Sequence, residues 1–173
     1  MPNDFINGEG VCVSVWMAGC PHRCSGCHNQ HMWNYEDGYE VDLDTTIEKI
    51  IHAIQANGLV RNLSILGGEP LAPYNIEYTL EIIRRVTAQF PTIKVYLWTG
   101  YTYEYLLSHL NHDLSEIMRL TTVLIDGKYE EDKRDISLPL RGSSNQRILV
   151  HDKHLKPMCF KVYQEEEPTY NSN

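Results

Sequence analysis

Three cysteines lie within a stretch of eight residues, at Cys20, Cys24 and Cys27. Thiolates this close in sequence can bind one inorganic centre from a single loop. Structural zinc sites and electron-transfer clusters generally have four protein ligands, whereas a centre with an open position can bind and activate a small molecule. We therefore predict that Cys20, Cys24 and Cys27 hold three irons of a [4Fe–4S] cluster and leave the fourth iron to a chelating molecule.

Histidines in the same stretch leave a second interpretation open. His22, His28 and His31 are close enough in sequence to complete a zinc site, and three cysteines with one histidine are an ordinary structural set of zinc ligands. The chain would then be a zinc-stabilised interaction module without catalysis. Metal and sulfide analysis separates the two interpretations, because a zinc site contains no inorganic sulfide.

A second motif, Gly67-Gly68-Glu69-Pro70, directly follows an apolar segment. An isolated sequence of this kind is usually a turn between a strand and a helix. Here it lies in the next strand–helix unit after the cysteine loop, and its glycines would let the backbone approach a ligand closely. Its position therefore favours a ligand-binding role.

The elements that must position these motifs alternate between strand and helix. Hydrophobic patterning predicts strands at 11–16, 62–66, 93–99, 122–125 and 146–150, and helices at 42–57, 76–89 and 103–109. This order favours an α/β fold with a mostly parallel sheet, whose ligands bind beyond the carboxyl ends of the strands. A complete eight-stranded barrel needs about 250 residues, so we predict a partial barrel or a short open sheet. We predict one domain over residues 1–163 and a polar C-terminal tail over 164–173.

Composition excludes several classes of function. The formal net charge is −8, which argues against binding nucleic acid, since that affinity depends on Lys and Arg. No apolar run approaches the roughly 20 residues that cross a bilayer, and the first residues are acidic where a secretory signal would be basic. We therefore expect a cytoplasmic protein that binds neither nucleic acid nor membrane, whose cysteines are ligands or core residues rather than disulfides.

The two motifs together resemble the radical S-adenosyl-L-methionine (SAM) superfamily, and the predicted fold is then its truncated β/α barrel. Within that superfamily the chain resembles the activating enzymes of glycyl-radical enzymes, and among them those that activate the anaerobic ribonucleoside-triphosphate reductase. The resemblance covers most of residues 5–150. Its further motifs are Asn7-Gly8-Glu9-Gly10, Gly19-Cys20-Pro21-His22, Trp98-Thr99-Gly100-Tyr101 and Ser144-Asn145-Gln146-Arg147.

The resemblance implies an activity and its partners. The [4Fe–4S] cluster would cleave SAM reductively, and the resulting radical would take a hydrogen from a glycine of the large subunit of the reductase. An electron donor such as reduced flavodoxin is implied as well. Two related alternatives stay open, namely activation of another glycyl-radical enzyme such as formate C-acetyltransferase, or action on a diffusible small substrate.

The resemblance also implies residues that bind SAM. In this superfamily the Gly-Gly-Glu loop binds the amino group of SAM. Several candidates have an ordinary structural alternative: Thr99 could pack in the core, Asp126 could belong to a simple turn, and Arg147 could lie on the surface. Trp33 either covers the adenine or packs in the core. The full set of candidate SAM-binding residues is Gly67, Gly68, Glu69, Thr99, Asn145, Arg147, Asn29, Asp126 and Lys128.

Overall fold

The computed structural model describes residues 1–152 and 158–163, so the tail predicted over 164–173 lies outside the described residues. The strands are β1 (Cys12–Met17), β2 (Asn62–Gly67), β3 (Val95–Trp98), β4 (Val123–Asp126), β5 (Arg147–His151) and β6 (Phe160–Val162). The α-helices are α1 (Leu43–Ile54), α2 (Ile76–Gln89), α3 (Tyr103–Ser108) and α4 (His112–Leu120). No helix in the described part of the chain is long and apolar enough to cross a membrane.

The six strands form one sheet in the order in which they occur along the chain. β1 to β4 are parallel, with helices in each crossover, which confirms the predicted α/β alternation. β5 runs antiparallel to β4, and β6 antiparallel to β5. Among the described residues the sheet is therefore mixed and open, and the predicted truncated barrel is not confirmed.

One face of the sheet is covered by the helices. The apolar residues of α1 recur at Ile47, Ile50 and Ile54, so that they form one stripe, and α2 and α4 present equivalent stripes. These stripes pack with alternate strand residues such as Leu63 and Leu97 into the main hydrophobic core. Burial of this continuous apolar surface is the main force that holds the helices on the sheet.

The other face of the sheet, here called the second face, carries the remaining strand residues, among them Ser14, Trp16 and Ser64. The N-terminal segment, residues 1–9, lies against β1, where Asp4 forms an antiparallel bridge with Cys12. The Asp4 carboxylate accepts a hydrogen bond from the Ser14 hydroxyl, and the Ser64 hydroxyl donates to the Asn7 carbonyl. The N-terminal segment therefore covers the second face near the start of β1 and β2.

Among the α-helices and strands of the described residues, α4 and β6 were absent from the sequence-based prediction. α4 begins after Asn111, whose side chain accepts a hydrogen bond of 2.8 Å from the backbone N–H of Leu114. β6 pairs with β5 through only three residues. Together with β5, which returns antiparallel, β6 extends the sheet where a full barrel would continue with parallel strands.

Candidate functional site

The loops that follow β1, β2, β3 and β4 meet at one edge of the sheet, because the carboxyl ends of parallel strands point the same way. The cysteine loop follows β1, the Gly-Gly-Glu motif ends β2, Thr99 follows β3, and Asp126 ends β4. Because β5 is antiparallel, its first residue, Arg147, lies at the same edge. The fold therefore brings together segments that are distant in sequence.

The cysteine loop, residues 18–32, is a series of tight turns fixed by backbone hydrogen bonds. The N–H of Cys20 donates to the Trp33 carbonyl at 2.9 Å, and the N–H of Cys27 donates to the Cys24 carbonyl at 3.1 Å. Arg23 has a φ of +45°, a left-handed conformation that is uncommon outside glycine. Between Cys20 and Cys24 the chain thus turns sharply, and it presents three partly buried free thiols.

Burial, backbone hydrogen bonds and the neighbouring thiols affect the pKa values of Cys20 and Cys24. Burial raises the pKa of Cys20, while hydrogen bonds from the backbone N–H groups of His22 and Arg23 oppose that increase. Burial likewise raises the pKa of Cys24, and a hydrogen bond from the N–H of Tyr129 opposes it. A charge on Cys24 acts on Cys20, and a charge on Cys27 acts on Cys24, so the three thiols lie within electrostatic range of each other.

The described residues contain no group of three or more His, Cys, Asp or Glu side chains arranged to hold a single metal ion. The histidine nearest the first cysteine has another partner, because the Nε2 atom of His22 lies 2.8 Å from a carboxylate oxygen of Glu69. His28 and His31 are exposed. The arrangement of His22 therefore gives no support to a zinc site completed by this residue.

The two glycines of the Gly-Gly-Glu motif let its backbone pack directly on the cysteine loop. The N–H of Gly68 donates to the Met17 carbonyl at 2.7 Å, and the N–H of Glu69 donates to the Gly19 carbonyl at 2.8 Å. A Cβ atom on Gly68 would lie 2.3 Å from the Gly19 carbonyl oxygen. Gly67 has a φ of +113°, and a Cβ atom there would lie 2.7 Å from the backbone of Met17. The motif therefore joins β2 to the cysteine loop through the backbone.

The carboxylate of Glu69 is fully buried and receives four hydrogen bonds. Its Oε1 atom accepts from the Leu71 N–H at 2.9 Å and from the Thr99 hydroxyl at 2.8 Å. Its Oε2 atom accepts from the Gly100 N–H at 2.7 Å and contacts His22 at 2.8 Å. Because an ionised carboxylate only accepts hydrogen bonds, the Nε2 atom of His22 must be a donor here. Glu69 thus connects the loops after β1, β2 and β3.

A second polar network joins β4, β5 and α3. The buried Asp126 carboxylate accepts from the Arg147 Nε at 2.9 Å and from the Tyr103 N–H at 2.7 Å. The same guanidinium forms a paired contact with Glu104, at 2.9 and 2.7 Å. The pKa of Glu104 is lowered by its hydrogen bonds from Arg147. Asp126 and Arg147 therefore bind each other and their neighbours at the edge where a ligand is expected.

The remaining candidates lie around the same edge. The Nδ2 atom of Asn145 donates to the Lys128 carbonyl at 2.8 Å, which joins the segment before β5 to the loop after β4. The exposed Lys128 ammonium is near enough to Cys24 to favour its thiolate. The Asn29 carbonyl accepts from the Met32 N–H at 2.9 Å within the cysteine loop. All three residues thus border the cysteine loop or the loop packed beside it.

Three buried polar atoms of the described chain have no hydrogen-bond partner: Trp16 Nε1, Trp33 Nε1 and Asn145 Oδ1. Trp16 lies near the end of β1 on the second face, and Trp33 follows the cysteine loop. Buried polar groups are nearly always paired, so unpaired ones indicate a missing partner. Trp16 was not among the predicted site residues. Its alternation with Val13 and Val15 placed it on the second face, but no sequence signal distinguished it from a packing residue.

The chain is similar to known proteins over most of its length. Residues 6–149 match the family described as a 4Fe-4S single cluster domain. The anaerobic ribonucleoside-triphosphate reductase-activating protein of Haemophilus influenzae is 37% identical over 148 residues, which are 85% of this chain and 92% of that protein. The proteins of the same name from Enterobacteria phage T4 and Escherichia coli K12 are 36% and 35% identical, over 85% and 90% of this chain and 88% and 96% of their own lengths. No solved structure matches this chain.

Proposed function

Since this chain belongs to the family of anaerobic ribonucleoside-triphosphate reductase-activating proteins, we propose that it activates the anaerobic reductase by generating a radical on one of its glycines. Cys20, Cys24 and Cys27 would hold a [4Fe–4S] cluster, which together with bound SAM would supply the one-electron reductive cleavage and so the radical that takes a hydrogen from the glycine. The protein provides the cluster ligands, the binding site and shelter from water.

The observation that carries this proposal is the cysteine loop, which lies inside the matched 4Fe-4S single cluster domain. We assign Cys20, Cys24 and Cys27 as its cluster ligands. Three thiols fit a cluster that keeps one iron open, and all three are free and partly buried. The backbone contacts from the Gly-Gly-Glu motif hold the start of this loop against the end of β2.

The unpaired polar atoms fit SAM as the second cofactor. The indole N–H groups of Trp16 and Trp33 can donate to a carboxylate, ribose or adenine acceptor, and the Asn145 carbonyl oxygen can accept from an amine or a hydroxyl. A nucleoside joined to an amino acid offers all of these groups. We therefore add Trp16 and Trp33 to the proposed SAM contacts, beside Asn145, Asn29 and Lys128.

The proposed roles of the other candidates follow from their contacts. The carboxylate of Glu69 already has four hydrogen-bond partners, so we propose that it orders the loops around SAM. We propose that Gly67, Gly68 and Thr99 bring the backbone close to SAM. Arg147 and Asp126 bind each other, and we propose that they hold β5 and α3 at the rim. These side chains build the frame of the site.

The partner is a protein in this proposal. The described sheet is open, and a macromolecular substrate could supply the wall that a closed barrel would provide. We propose the large subunit of the anaerobic reductase as this substrate and a one-electron donor such as reduced flavodoxin as the source of electrons. Activation of formate C-acetyltransferase is the alternative that the same chemistry allows.

Electron paramagnetic resonance tests the proposal directly. Anaerobically reconstituted, reduced protein is mixed with SAM and the reductase large subunit, and we expect a glycyl radical only when all components are present. Cys24→Ala should abolish both SAM cleavage and the radical, whereas Cys159→Ala, a thiol outside the cluster loop, should retain both. Stoichiometric zinc without sulfide in an active preparation would refute the cluster. A radical on formate C-acetyltransferase but not on the reductase would reassign the partner.

A further inference from the structure

The side chain of His22 is enclosed at the edge of the site although it lies between two proposed cluster ligands. It is 6% exposed, and its partner Glu69 is fully buried. The ring packs edge-on against Tyr101, with ring centres 4.5 Å apart. It also lies directly over Gly100, where a Cβ atom would come within 2.3 Å of the imidazole Cδ2. The ring is thus held by its hydrogen bond to Glu69, its edge contact with Tyr101 and its packing on Gly100.

The consequence of this enclosure appears in the backbone of the same turn. His22 and Arg23 lie in the turn between Cys20 and Cys24. Arg23 holds its left-handed φ of +45° in this turn, a conformation that a non-glycine residue keeps only when its surroundings impose it. Since Arg23 is exposed, the neighbouring His22 side chain is the buried anchor of the turn.

We propose that His22 is a positioning residue: through its hydrogen bond to Glu69 it holds the turn that joins Cys20 to Cys24 against the loop after β2. This inference rests on the proposed function, since it concerns the cluster that Cys20 would bind. A turn held in this way would keep the thiols of Cys20 and Cys24 in place for the cluster, so that the cluster is harder to lose.

Three variants of the full-length chain separate this role from general stability. His22→Leu removes the donor and keeps an apolar side chain. His22→Gln restores an N–H donor that can reach Glu69. Gly100→Ala pushes the imidazole away without altering His22, and Gly100 has no positive φ that alanine would strain. His31→Leu is the matched control, because His31 is an exposed histidine of the same loop.

The measurements are iron and sulfide content after anaerobic reconstitution and the rate of cluster loss under a chelator. We expect His22→Leu and Gly100→Ala to lose the cluster about 10- to 100-fold faster, as is usual when a ligand's outer partner is removed. His22→Gln should restore cluster uptake and retention, and His31→Leu should change neither.

The outcomes are distinct. Unchanged cluster uptake and retention in His22→Leu and Gly100→Ala would overturn the role of His22 and leave the proposed function intact. If His22→Leu does not fold, Gly100→Ala and His22→Gln decide the question. Failure of the unmodified chain to take up any cluster would refute the proposed function, and this inference would fall with it.

Discussion

Asp4 attaches the N-terminal segment to the sheet, and its carboxylate is 2% exposed. It accepts hydrogen bonds from the backbone N–H groups of Ile6 and Asn7 at 2.8 and 3.0 Å, from the Asn7 side chain at 2.7 Å, and from the Ser14 hydroxyl. Burial alone would raise its pKa, but the hydrogen bonds outweigh burial and lower the pKa of Asp4 to about 2. The perturbation to make is Asp4→Asn.

The magnitude follows from this pKa. The difference between the ordinary value of 3.8 and about 2 corresponds to about 2.4 kcal/mol of folding free energy. Because the pKa of a carboxyl group is lowered by folding, the stabilisation is fully present above pH 4. It is lost as the pH falls from about 4 through about 2. At neutral pH we therefore expect Asp4→Asn to lower the free energy of unfolding by about 2 kcal/mol.

Urea unfolding followed by circular dichroism between pH 2 and pH 7 measures this difference. The curves of the unmodified chain and of Asp4→Asn should converge toward about pH 2, where the native carboxyl is protonated as well. Asp135→Asn is the matched control: Asp135 also accepts from a backbone N–H and a serine hydroxyl, but these hydrogen bonds are exposed to solvent, so its replacement should cost less than that of Asp4. A constant offset between Asp4→Asn and the unmodified chain at every pH would refute the electrostatic reasoning.

Three further predictions concern the site. Gly68→Ala should destabilise the fold by about 1–3 kcal/mol and impair cluster uptake, because its Cβ would meet the Gly19 carbonyl. Urea unfolding measures the first effect and iron analysis the second. Normal cluster uptake would contradict the proposed packing role of Gly68. Arg147→Met should lower the free energy of unfolding by about 3 kcal/mol, because it leaves the buried Asp126 without its counter-ion. Glu104→Gln, which removes only the exposed pair, should lower it by about 0.5 kcal/mol in the same assay. Trp16→Phe should weaken SAM binding to the reconstituted protein about fivefold, because it removes a hydrogen-bond donor that is unpaired without ligand. It should not destabilise the protein. Anaerobic calorimetry measures the binding. Trp98→Phe is its control, since that indole already donates to the Leu140 carbonyl, and its loss should reduce stability instead.

The parallel part of the fold could be predicted because its residues repeat with clear periods. The helix predicted over 76–89 has the bounds of α2, and its apolar spacing alone defined it. α4 was missed although Asn111 and the spacing of Leu114 and Ile117 were available as signals. The direction of β5 could not be predicted, because an apolar strand has the same pattern whether it returns parallel or antiparallel.

The candidate site was predictable where its chemistry is local in sequence. The spacing of Cys20, Cys24 and Cys27 was enough to predict them as a set of ligands. The contacts of Glu69 could not be predicted in this way, because its partners His22 and Thr99 are 47 and 30 residues away along the chain. A glutamate that points to a ligand and one that joins three loops have the same sequence, and only the fold distinguishes them.

The bridge between Asp4 and Cys12 also bears on how the protein avoids self-association. β1 is the first strand of the sheet, and an uncovered edge strand presents unpaired N–H and C=O groups that invite strand addition by another copy. Here the Cys12 N–H donates to the Asp4 carbonyl at 2.8 Å and the Asp4 N–H donates to the Cys12 carbonyl at 2.9 Å, while the Ser14 N–H donates to the Met1 carbonyl at 2.9 Å. The N-terminal segment thus occupies the first half of the edge that a neighbouring molecule would otherwise use.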